Sequence, residues 1–115
     1  MFQAQYLLQG TTVYSPWMPR KGNTILFTCD LVARHEGRLE VRIFHKKEED
    51  DGNGIQVGGT ISTTAIGQTV RQAVGLFDLV RYEFKSVSTA GSPDTLDRVL
   101  FRMLSPVWFD AVNAV

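Results

Sequence analysis

Apolar side chains occupy every second position between 24 and 34, where Ile25, Phe27, Cys29, Leu31 and Ala33 alternate with other residues. After His35-Glu36-Gly37 the alternation resumes, with Leu39, Val41 and Ile43 in one phase and Glu40 and Arg42 in the other. A period of two is that of a β-strand buried on one side. The two runs therefore read as the arms of a hairpin, with Gly37 supplying a positive φ in its short loop.

Val80, Tyr82 and Phe84 alternate with Arg81, Glu83 and Lys85, again in the pattern of a half-buried strand. The turn-forming cluster Ala90-Gly91-Ser92-Pro93-Asp94 follows. Beyond it Val99, Phe101 and Met103 alternate with Leu100, Arg102 and Leu104, which predicts a second hairpin whose last strand is covered on both sides.

The stretch between 51 and 75 is harder to read, because six glycines interrupt it. Two or three short strands are expected there. The competing reading is a short helix near 66–74, since Val70, Ala73, Val74 and Phe77 have helical spacing and Gly75 could end it. Ser15-Pro16-Trp17 and Ser105-Pro106-Val107-Trp108 echo each other, and each reads as an edge strand leaving its sheet at a proline. Many short strands without long helical patterns predict an all-β chain: one small antiparallel β-sandwich or barrel, jelly-roll-like, over 1–115, with apolar terminal segments.

Composition adds few constraints but useful ones. Hydrophobic residues make up 43% of the 115, enough for one core. Twelve basic residues balance twelve acidic ones, so no summed field draws the chain to nucleic acid or an anionic membrane. Neutrality also removes a barrier to self-association. No apolar run approaches the roughly 18 residues of a spanning helix. The opening residues Met1-Phe2-Gln3-Ala4-Gln5-Tyr6 lack the pattern of a signal peptide, which predicts synthesis in the cytoplasm.

Catalytic chemistry finds little purchase. His35 falls in a predicted loop, His45 reads as a rim residue, and Cys29 lies in a strand interior with no basic neighbour to activate it. One cysteine and two histidines make no zinc pattern, and phosphate-binding motifs are absent. No catalytic, cofactor or metal residue is assigned, and the chain reads as a non-enzyme. The carboxylates Glu48, Glu49, Asp50 and Asp51 precede Gly52-Asn53-Gly54 and raise calcium as a thought, but their order is not that of a known calcium loop. A solvated loop over 48–54 is the expectation.

Apolar termini are the most informative feature, because chain ends are normally polar unless something covers them. Phe2, Tyr6 and Leu8 open this chain, and Val107, Trp108, Phe109 and Val112 close it. With Trp17, these are the expected interface residues of a structural subunit that binds copies of itself or a larger protein shell, such as a virion, tail or surface-array particle. The alternative is a small carbohydrate- or ligand-binding module, calcium-dependent if the acidic loop takes part, that stacks its ligand on Tyr14, Trp17 and Trp108.

Overall fold

A computed structural model describes residues 4–110. Its strands, in chain order, are β1 (Gln5–Leu8), β2 (Thr12–Tyr14), β3 (Met18–Pro19), β4 (Thr24–His35), β5 (Gly37–Lys46), β6 (Ile55–Thr63), β7 (Gly67–Ala73), β8 (Leu79–Ser88), β9 (Arg98–Met103) and β10 (Val107–Phe109). Every pairing between them is antiparallel. The architecture is all-β, as the alternation predicts.

The strands form two sheets. In the first, β4 pairs with β7 along one edge and with β9 along the other, and β1 pairs with the far side of β9. In the second, β8 pairs with β5 along one edge and with β2 and β3 along the other, and β6 pairs with the far side of β5. Joining β2 to β3 and β9 to β10 gives the strand orders β1-β9-β4-β7 and β2-β8-β5-β6, those of an eight-stranded jelly roll. The inward phases of both sheets meet in one core built around Ile25, Phe27, Leu31, Leu39, Val41, Val80, Tyr82, Phe84, Val99 and Phe101, each at most 1% exposed. Phe27 meets Tyr82 edge to face at 4.8 Å, and Phe84 stacks on Phe101 at the same distance.

This topology overturns both predicted hairpins. β4 and β5 do not pair; the chain crosses from one sheet to the other at Glu36, whose φ is +49°. Gly37 has no positive φ and serves a different purpose, since a Cβ there would lie 2.5 Å from the Arg98 carbonyl oxygen. β8 and β9 likewise lie in opposite sheets. The physical reason is that a period of two records which side of a strand is buried and not which strand lies beside it. Two apolar faces can meet across the sandwich as readily as side by side. Among consecutive strands, β5 and β6 do form a hairpin.

No helix occupies 66–74. That stretch is β7, in register with β4 from Ile25↔Ala73 to Leu31↔Gly67, and Val70 and Val74 are exposed while Ala73 is buried. Gly67 and Gly75 both have positive φ and bound the strand. Pairing with β4 bonds one side of this edge strand and sets Ala73 against the core, whereas a helix this short is marginal without an apolar face to pack.

The two Ser-Pro segments do not leave their sheets. Tyr14 pairs with Glu83 and Met18 with Val80, so three residues on one strand oppose two on β8. Met103 pairs with Cys29 and Val107 with Leu26, again three against two on β4. Each segment is a bulge after which pairing resumes. Leu100, predicted to be covered, is half-buried on the outward side, opposite Tyr6.

Candidate functional site

The outer surfaces of the two sheets differ in chemistry. On the sheet of β4, the outward phase carries Tyr6 and Leu8 from β1, exposed at 61% and 46%, and Val107 and Phe109 from β10, at 54% and 38%. Register places Tyr6 beside Leu100 and Ala33 in one apolar group. Val107 lies beside Leu26, with Val70 and Phe109 nearby in a second. Between the groups runs a polar band in which Arg102 donates to Asp30 at 3.0 Å.

Of the expected interface residues, Tyr6, Leu8, Val107 and Phe109 thus share one face. Trp108 points the other way, opposite Ile25, and packs against the core of its own chain. Trp17 lies on the other sheet, in the β2–β3 bulge. Phe2 and Val112 lie outside the described residues.

The outer surface of the second sheet is charged and largely self-neutralised. Arg38 and Arg42 both bond Glu40, and Arg42 also bonds Glu83, at 3.0–3.2 Å. Arg81 departs from this order. Its partner across the strand pair is Phe44, not a carboxylate, and its guanidinium lies 4.5 Å from the centres of both the Tyr14 and the Trp17 rings. Lys46 lies 4.6 Å from the Trp17 ring and donates to the Gly52 carbonyl, which ties the acidic loop to the stack. Gly54 completes the packing, as a Cβ there would meet the His45 carbonyl at 2.6 Å and the Trp17 ring edge at 2.9 Å. Beside the stack is a shallow depression of about 350 Å³ lined by Tyr14, Phe44, Asn53, Arg81 and Glu83. Sequence reasoning found Tyr14 and Trp17 but not Arg81 or Phe44. The available signal was Phe44 itself, an aromatic ring in the polar phase of β5 between Arg42 and Lys46.

The remaining candidates are committed elsewhere. His45 is buried, stacks on Phe77 at 4.2 Å, and its Nδ1 accepts the Phe77 N–H; burial lowers its pKa. The Cys29 thiol is pushed up to about 11, first by burial and then by the charge of Asp30, and so stays protonated at neutral pH. Asp97, which the pattern did not single out, is buried and accepts from Ser88 Oγ at 2.6 Å and the Asp94 N–H at 2.9 Å, fixing the turn before β9. The Ser88 bond, then that from Asp94, holds its carboxyl below the usual range. The loop over 48–54 is exposed, and among the described residues no three His, Cys, Asp or Glu side chains gather as a metal site would require.

Comparison with known proteins finds no match among protein families, curated proteins or solved structures.

Proposed function

We propose that this chain is a non-enzymatic structural subunit that pairs with a second copy of itself through the outer surface of the β4 sheet, within a larger assembled particle such as a virion, tail or surface array. The observation that carries the reading is that Tyr6 and Leu8, and Val107 and Phe109, from the two terminal strands, form exposed apolar groups on one face, either side of the Asp30–Arg102 band. Fully burying one such side chain contributes on the order of 1.5–3 kcal/mol, so a few of them can hold two subunits together.

A second copy fits this face by its charge. A two-fold axis sets the same patch against itself, and the Asp30–Arg102 band, being one acid beside one base, is its own complement when inverted. The chain as a whole is neutral, which leaves no long-range repulsion between copies. Jelly rolls also occur in capsid and lectin domains, a likeness of architecture that adds context and no site.

Sedimentation velocity over a concentration range tests the reading. The full chain is expected to associate, and Val107→Asp with Phe109→Asp is expected to weaken association by roughly tenfold or more for each buried side chain lost, while the separated subunits keep the circular dichroism of the folded chain. A full chain that remains monomeric at every concentration would remove self-pairing, and recovery only with a pre-formed particle would assign the face to a shell instead.

A further inference from the structure

We propose that the depression beside Arg81 is a binding site for a sugar bearing a carboxylate, on the sheet opposite the assembly face. The argument begins with an imbalance. Arg38 and Arg42 on this outer surface each meet a carboxylate: they share Glu40, and Arg42 also reaches Glu83. Arg81 has, among the described residues, no hydrogen-bond acceptor and no salt-bridge partner; its Nε is buried, as is that of Arg38, so what distinguishes it is that its two terminal nitrogens meet no carboxylate. Terminal guanidinium donors that meet no acceptor within the protein are free to take one from outside it.

Tyr14 and Trp17 hold the planar guanidinium at 4.5 Å from both rings, which fixes the orientation of the fork and leaves its two Nη atoms, though not the buried Nε, to meet a ligand end-on. A fork held in this way is suited to two parallel bonds to one carboxylate. The depression it lines, about 350 Å³, is at the small end of ligand sites. Tyr14 and Phe44 give it apolar walls on which the C–H face of a pyranose can rest, while the Asn53 amide and Glu83 carboxylate offer a donor and acceptors for ring hydroxyls.

A carboxylate fits better than a phosphate. The nearby Lys46 ammonium is already committed to the Gly52 carbonyl and the Trp17 ring, and the Glu83 carboxylate lies in the lining. One uncommitted cation beside an acid favours a single negative charge over a double one.

The site is testable by NMR titration of the full chain, following the two tryptophan indole N–H signals. Trp17 belongs to the stack, and Trp108, packed on the other sheet, serves as the internal control. Sodium glucuronate is expected to shift the Trp17 signal saturably and leave Trp108 unmoved, with glucose and inorganic phosphate each requiring roughly tenfold or more higher concentration. Arg81→Gln is expected to lose glucuronate binding by a similar factor, and Arg81→Lys, which keeps the charge but not the fork, to lose most of it. The proposal fails if glucuronate gives no saturable shift, if glucose or phosphate binds as well, or if Arg81→Gln binds unchanged while melting like the parent chain. Because this site and the assembly face lie on opposite sheets, Val107→Asp with Phe109→Asp leaves glucuronate binding intact, and either idea can fail alone.

Discussion

Gly37 shows how a single residue can be selected for a reason its neighbours in sequence do not reveal. As a hairpin residue it would be chosen for positive φ, yet it is Glu36 that takes that conformation, and Gly37 is chosen because β9 passes so close. The missing side chain is a matter of clearance: the Arg98 carbonyl carbon and oxygen lie 2.8 and 2.5 Å from where a Cβ would stand. Backbone cannot swing aside as a flexible side chain can. Gly37→Ala is therefore expected to destabilise the fold by about 1–3 kcal/mol, as other forced insertions into packed regions do. Gly91→Ala is the control, since nothing lies within 4 Å of its Cβ position and no positive φ is involved; urea unfolding of both variants measures the difference.

At the scale of elements, the two Ser-Pro segments are the same device used with opposite outcomes. Each inserts one extra residue into a strand and lets pairing resume, so a proline that lacks an N–H costs the ladder one link and not the whole strand. At the first bulge Ser15 supplies the compensation, its hydroxyl accepting the buried Tyr82 N–H at 2.9 Å while its own N–H donates to the Tyr82 carbonyl. Trp17 is turned outward to clamp Arg81, whereas Trp108 after the second bulge is turned inward to the core. Ser15→Ala should leave the Tyr82 N–H without its acceptor and cost about 1–3 kcal/mol, read from the midpoint of chemical denaturation. A shift near zero would mean that the bulge is held by backbone bonds alone.

For the whole molecule, the terminal strands are part of the sandwich and also its exposed edge chemistry. β10 extends the β9 edge along β4, and Trp108, beside Ile25 on the inward face, packs against the core, so removing 106–115 is expected to strip stability as well as surface. Trp108→Ala alone should cost roughly 2 kcal/mol or more, somewhat below a fully buried tryptophan, and thermal melts of the truncated chain and of Trp108→Ala should both fall below the parent. For that reason surface substitutions at Val107 and Phe109, and not deletion of the tail, separate assembly from folding. The sequence by itself determined the burial phase of the long strands, because alternation is a local property: Ile25, Phe27, Leu39, Val41, Tyr82, Phe84, Val99 and Phe101 are all inside, as their spacing requires. It also marked the turn at 90–94 and the exposed loop at 48–54. Only the tertiary structure decided which strands are neighbours, since partner choice depends on how two twisted sheets close on one core and leaves no periodic trace in a single strand. The same limit hid the site at Arg81: the rings that clamp it lie more than sixty positions away in the chain, and only the pairing of β2 and β3 with β8 brings Tyr14 and Trp17 across it.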